Sequence, residues 1–230
     1  MTRPVVIACG ALVSELRAVL AANSLLDAVD VAYLPANLHN RPERIVPTMR
    51  EAVAQHTSDD PDRPILFGYA DCGTGGLLDA YMAELPNAQR LPGSHCYEFF
   101  AGTELFTSLH DADPGTFYLT DFLAKHFDAL VWQALGLDRH PELRDAYFGN
   151  YSRVVLFSQS IDPAVVDAGR AGAERLGLAF EHHHVGLDHF ADAVTVHLRP
   201  TDRSVVGAVA TAAPATPAAS PTPPPTERTA

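Results

Sequence analysis

The chain has 230 residues, of which 47% are hydrophobic and 19% charged, so it can bury one sizeable core and is too apolar for a disordered protein. It carries 16 Lys and Arg against 28 Asp and Glu, and this net charge of −12 excludes the basic surface that nucleic acids or anionic lipids require. No long apolar stretch follows the opening residues, so we expect neither a secretion signal nor a membrane span and predict a cytoplasmic protein.

Short β-branched runs then alternate with segments of helical periodicity. Strands are predicted at residues 3–8, 30–34, 64–69, 89–91, 116–119, 153–157 and 178–182. Helices are predicted at residues 12–23, 42–55, 77–84, 97–109, 122–135 and 163–176. This alternation predicts a single α/β domain over residues 1–200, with three layers and a mostly parallel, Rossmann-like sheet covered by helices on both faces.

The end of the chain differs in composition from the rest. Six of the 18 prolines lie in residues 213–230, mixed with Ala, Thr and Ser. No large apolar residue in this segment can join a core, so we predict a disordered Pro/Ala/Thr-rich tail.

The three cysteines come within a few residues of the ends of predicted strands, although they are far apart along the chain. Cys9 ends the first strand, Cys72 follows the third and Cys96 follows the fourth. Their odd number and wide spacing argue against a disulfide framework. A single free cysteine is often only a small buried hydrophobic residue. In open parallel sheets, however, ligands bind outside the carboxyl ends of the strands, so the shared position predicts that the three thiols meet at one edge.

Other polar residues are predicted at the same edge. His39 follows the second strand, Asp71 precedes Cys72, and Tyr97 and Glu98 follow Cys96. Helix N-termini also favour Asp, and a lone His is often a surface residue, so structural roles compete with functional ones. We predict that Asp71, His39, Tyr97 and Glu98 are the catalytic residues.

Three thiolates and an imidazole form a soft set of ligands. Cys9, Cys72 and Cys96, with His39 as a fourth ligand or a nearby base, would select Zn²⁺ or an iron–sulfur cluster over Mg²⁺. Three protein ligands with an open fourth position are typical of catalytic zinc, and three cysteines can also hold a cubane cluster with one free iron. The spacing of the ligands does not choose between these two cofactors.

Glycines accompany two of the cysteines. Gly10 follows Cys9, and Gly73, Thr74 and Gly75 follow Cys72, so these four residues are predicted to bind a cofactor. Glycine after a strand exposes backbone N–H groups, which favour an anion and would lower the pKa of a neighbouring thiol. The pattern matches neither a dinucleotide fingerprint nor a P-loop, which excludes ATP binding of the P-loop type.

Six short motifs together resemble a known family. They are CGAL, LHNRPE, YADCGTGG, HCYEFFAG, FYLTDF and FGNYSRVV, and the likeness runs over residues 5–186. The chain is similar to the family called domain of unknown function 1638. The family's motif positions correspond to Cys9, His39, Cys72, Cys96 and Tyr97.

The resemblance implies a role in one-carbon metabolism, since members of this family are often encoded beside corrinoid-dependent methyltransferase systems. It therefore suggests a metal-dependent enzyme or accessory protein in methyl transfer, with a corrinoid protein or a methyltransferase subunit as its partner.

Two alternative functions remain open. One is a metal-free enzyme resembling amino-acid racemases, in which cysteines act as acid and base and Asp71 or His184 tunes them. The other is a non-enzymatic module that binds a corrinoid or a protein partner.

Overall fold

The computed structural model describes residues 3–198, which contain seven strands and nine α-helices. The strands are β1 (Val5–Cys9), β2 (Asp30–Leu34), β3 (Ile65–Gly68), β4 (Ala88–Arg90), β5 (Thr116–Thr120), β6 (Arg153–Ser158) and β7 (Ala179–His184). The helices are α1 (Val13–Ala22), α2 (Ile45–His56), α3 (Leu77–Met82), α4 (Cys96–Ala101), α5 (Thr103–Ala112), α6 (Asp121–Lys125), α7 (Leu143–Phe148), α8 (Pro163–Leu176) and α9 (Asp188–Leu198).

All neighbouring strands are parallel, as predicted, and they form two sheets. The first sheet has the order β2-β1-β3-β4 and the second the order β5-β6-β7. In the first sheet Ala8 of β1 lies opposite Gly68 of β3, and in the second Ser158 of β6 lies opposite His184 of β7. The α/β class is thereby confirmed. The division into two sheets was not visible in the sequence, because buried strands of similar composition do not specify which strand they pair with.

Each sheet is covered by helices on both faces. The first packs on α1, α4 and α9 through one face and on α2 and α3 through the other. The second packs on α6, α7 and α8 through one face, while Tyr118, Val155 and Phe157 on the other face pack with Ala101 and Phe106. Helix α4 therefore contacts the cores of both sheets, which brings the carboxyl edge of the first sheet close to the second sheet.

Several helices differ from the sequence-based expectation. The predicted helix over residues 97–109 is divided into α4 and α5, because Gly102 between them has φ 79°, a left-handed conformation that ends the first helix. The segment 122–135 consists of the short α6 followed by one π-helical turn at Asp128–Trp132. Two helices, α7 and α9, were not predicted.

The predicted tail at residues 213–230 lies outside the described residues. Among residues 3–198, no helix combines the length and apolar character needed to cross a membrane.

Candidate functional site

A small cavity lies where β1 and β3 end and faces the beginning of α6. Its volume is about 40 Å³, roughly that of one or two water molecules. Its polar wall contains Cys9, His39, Tyr69, Cys72 and Cys96. Its apolar wall includes Leu12, Ile45, Phe99, Phe100, Leu123 and Leu130. The structure thus brings the three cysteines and His39 to one enclosed space, and their chemical role stays a prediction.

Each cysteine reaches the cavity from a different local structure. Cys9 is the last residue of β1, and Cys96 is the first residue of α4. Cys72 has φ 51°, a left-handed conformation that residues with a side chain rarely adopt, and its N–H donates to the Ser94 carbonyl at 2.8 Å. A strained backbone conformation persists only where the surrounding structure holds it in place. Such conformations are found preferentially at functional sites.

Burial makes all three thiols weak acids. It raises the pKa of Cys9 above its ordinary value, and the pKa of Cys72 to about 12, where the nearby Cys9 adds to the effect. Burial, together with Cys72 and Cys9, raises the pKa of Cys96 well above its ordinary value. The predicted lowering of a thiol pKa by the glycine loop is therefore wrong: backbone hydrogen bonds favour the thiolate, but the loss of hydration outweighs them.

Tyr69 is a site residue that the sequence analysis missed. It directly follows β3, is 3% exposed and lines the cavity. Its hydroxyl faces the Cys9 thiol, but it has no partner with hydrogen-bond geometry. Buried hydroxyl groups normally have a partner, so this hydroxyl is free to interact with a group that enters the cavity. The available signal was its position at the carboxyl end of a strand, three residues before Cys72.

His39 lies at the mouth of the cavity. It belongs to a 3₁₀ helix, Ala36–Asn40, and the residue is exposed although its ring lines the cavity. Loss of hydration at the cavity and the nearby His95 lower the pKa of His39 below its ordinary value. The ring is therefore neutral at physiological pH, the form that binds metals and accepts protons.

The glycine loop after Cys72 does not form part of the cavity wall. Asp71 accepts hydrogen bonds from the Thr74 hydroxyl at 2.7 Å and from the N–H groups of Gly75 and Gly76 at 3.1 and 2.8 Å. Although its partial burial opposes this, these bonds hold the pKa of Asp71 below its ordinary value. Of the residues predicted to bind a cofactor, the carboxylate thus engages the Gly75 N–H and the Thr74 hydroxyl, and it stabilises the turn that follows Cys72.

Asp71, Tyr97 and Glu98, which were predicted to be catalytic, do not line the cavity, and their catalytic role stays a prediction. The cofactor prediction for Gly10, Gly73, Thr74 and Gly75 stays untested, and none of these residues lines the cavity. Glu98 accepts hydrogen bonds from the Ser94 N–H at 2.9 Å and from the Thr103 hydroxyl at 3.1 Å. This carboxylate thus links the residues that precede and follow α4. Tyr97 packs on the second sheet, with its ring centroid 5.5 Å from that of Tyr118.

The cysteine sulfurs and the His39 nitrogens around the cavity are not placed to bind a metal ion together in this conformation. Among residues 3–198, no group of three His, Cys, Asp or Glu side chains is arranged as ligands of one metal ion. The donor types fit a thiophilic ion, and the unpartnered Tyr69 hydroxyl is free to interact with a group that enters the cavity beside Cys9.

Comparison with known families agrees with the resemblance seen in the motifs. Residues 33–194 match the family described as "Protein of unknown function (DUF1638)". The chain belongs to this family. The matched range includes His39, Cys72 and Cys96, while Cys9 precedes it. No curated protein and no solved structure matches the chain.

The raised thiol pKa values predict how stability depends on pH. The pKa of Cys72 is about 12 in the folded chain against an ordinary value of 9.0, so the folded state favours the neutral thiol. This contribution is complete below about pH 9 and is lost as the pH rises towards about 12. We expect the free energy of unfolding of the metal-free protein, measured with urea, to decrease over this range. The decrease should be smaller in Cys72→Ala; an equally steep decrease in that variant would contradict the assignment.

Proposed function

We propose that this chain is a metal–thiolate protein, which binds one thiophilic ion such as Zn²⁺ through Cys9, Cys72 and Cys96. The observation that carries the proposal is the convergence of these three thiols on one cavity beside a buried hydroxyl without a partner. As the family resemblance implies, we place the protein in corrinoid-linked methyl transfer, as an enzyme or an accessory factor.

The size of the cavity favours a single ion over a cluster. A volume of about 40 Å³ accommodates an ion with a water molecule, whereas a cubane of four iron and four sulfur atoms needs considerably more space. It is also much smaller than the roughly 300 Å³ or more that is typical of pockets for organic ligands. A corrinoid would therefore have to be supplied by a partner protein.

The same cavity opposes the metal-free alternative. An acid–base enzyme needs a thiolate near neutral pH, but burial raises the pKa of all three thiols. A bound cation removes this obstacle, because a thiol that coordinates a metal is deprotonated. The thiols are thus poorly suited to act alone and well suited to act as ligands.

Within this proposal each residue has a chemical task. Zn²⁺ supplies an electrophilic centre that holds a thiol substrate or water in its deprotonated, nucleophilic form. In the metal-bound form the Tyr69 hydroxyl, which now lacks a partner, would donate a hydrogen bond to the Cys9 thiolate, and the neutral His39 ring would accept a proton at the mouth or serve as the fourth ligand. Phe99 and Phe100 exclude water from the inner wall.

Metal analysis of protein purified without oxygen tests the proposal. We expect about one Zn²⁺ per chain after equilibrium dialysis, and at least about 100-fold weaker binding in Cys72→Ser or Cys96→Ser, because each removes a direct ligand. Titration with Co²⁺ should produce sulfur-to-metal absorption that disappears in the same variants. His183→Ala, which alters an imidazole outside the cavity, is the matched control and should bind normally. Substoichiometric metal that is unchanged in Cys72→Ser would refute the proposal.

A further inference from the structure

A second group of metal-binding side chains lies at the carboxyl end of the other sheet. Ser158 ends β6, and in the neighbouring edge strand β7 His182 and His184 lie on the same face, because alternate residues of a strand share a face. The Ser158 hydroxyl is within hydrogen-bond distance of both rings, at 2.9 Å from Nε2 of His182 and 3.2 Å from Nδ1 of His184. Two imidazole nitrogens therefore converge on one oxygen.

This hydroxyl cannot satisfy both rings in the same way. A serine hydroxyl has one proton to donate, so one imidazole accepts that proton and the other must donate its own N–H to the oxygen. Each imidazole can also carry its proton on the opposite nitrogen, and a cation bound between the two nitrogens and the hydroxyl oxygen would favour that form for both rings. Ser158 is fully buried, whereas both histidines are exposed, so an ion can approach from solvent.

The neighbouring polar side chains His183 and Asp121 have other hydrogen-bond partners than the His182 and His184 rings. His183 points to the other face of β7, where its Nε2 lies 2.7 Å from Glu181. The Asp121 carboxylate accepts hydrogen bonds from the N–H groups of Gln159 and Ser160 and is thereby occupied.

We propose that His182, His184 and Ser158 form a binding site for a first-row transition-metal ion, separate from the cysteine cavity. The site offers two nitrogen donors and one hydroxyl oxygen, and water completes the coordination. Imidazole ligands favour Ni²⁺, Cu²⁺ and Zn²⁺ over the hard cations Mg²⁺ and Ca²⁺. Because no thiol takes part, this site and the cysteine cavity differ in their ligand chemistry and can be monitored separately.

Calorimetric titration of the full chain with Ni²⁺ alone tests this site. We expect a binding event that weakens at least about tenfold in His182→Ala and in His184→Ala, because each variant removes one of two nitrogen ligands. His183→Ala is the matched control and should bind Ni²⁺ like the wild type. Both substituted histidines are exposed, so the fold should persist, and circular dichroism checks this.

Two results would overturn the inference. They are an isotherm that is unchanged in His182→Ala or His184→Ala, and an equal loss of binding in His183→Ala. Sulfur-to-nickel absorption reports on the cysteine cavity in the same samples and should not change in the histidine variants. Failure of the cysteine proposal would remove that absorption and leave the histidine-dependent isotherm, so the two failures are distinguishable.

Discussion

At about pH 8, Cys72 of the metal-free native protein is expected to react with an aromatic disulfide reagent at least about thirtyfold more slowly than in the unfolded chain. The thiolate is the reacting form, and a rise of the pKa from 9.0 to about 12 lowers its fraction on the order of a thousandfold. The greater basicity of the thiolate recovers roughly twentyfold of this loss. Restricted access to the cavity slows the reaction further.

Mass spectrometry of the labelled peptides measures this rate for each cysteine separately. Labelling in urea provides the unfolded reference, and Tyr69→Phe tests whether the neighbouring hydroxyl contributes to the behaviour of Cys9. If Cys72 in the native, metal-free protein reacted as fast as the unfolded thiol, a reactive thiolate would be present at neutral pH. That outcome would favour the acid–base alternative over metal binding.

The second large effect is expected for Gly68→Ala, which should lower the free energy of unfolding by about 3 kcal/mol. Gly68 lies in β3 opposite Ala8 of β1, and a Cβ at this position would be 2.5 Å from the Ala8 Cβ and 2.9 Å from its Cα. Backbone atoms of a central strand cannot move away without breaking the ladder. Since Cys9 follows Ala8 directly, the cavity should be disturbed as well.

Urea unfolding measures this loss, and Gly75→Ala is the matched comparison. A Cβ on Gly75 would meet no atom within 4 Å, but its φ of +63° is unfavourable for alanine. We therefore expect a smaller loss of about 1–2 kcal/mol, which comes from the backbone conformation alone. Equal losses in the two variants would show that close packing between β1 and β3 is not the cause.

Local periodicity was sufficient to predict the strands of both sheets and the placement of the cysteines after them. Apolar runs such as Val5–Cys9 and the helical spacing in Pro163–Leu176 are properties of neighbouring residues, so the sequence displays them directly. The meeting of Cys9, Cys72 and Cys96 followed from one additional rule, since the carboxyl ends of parallel strands lie at the same edge.

Roles that depend on distant neighbours were not predictable in this way. Tyr69 was not singled out in the sequence, because its place beside the Cys9 thiol depends on how β1 and β3 pack. The expected sign of the thiol pKa shift was also wrong, because residues from the beginning of α6 and from α4 close the cavity and remove water.

By itself, the sequence determined the α/β class, the parallel strands and the edge at which the thiols are found. Only the tertiary structure decided that the strands form two sheets, that the cavity has a volume of about 40 Å³, and that Tyr69 faces Cys9. The reason is that secondary structure follows from short-range spacing, whereas burial and hydration depend on which distant segments pack together.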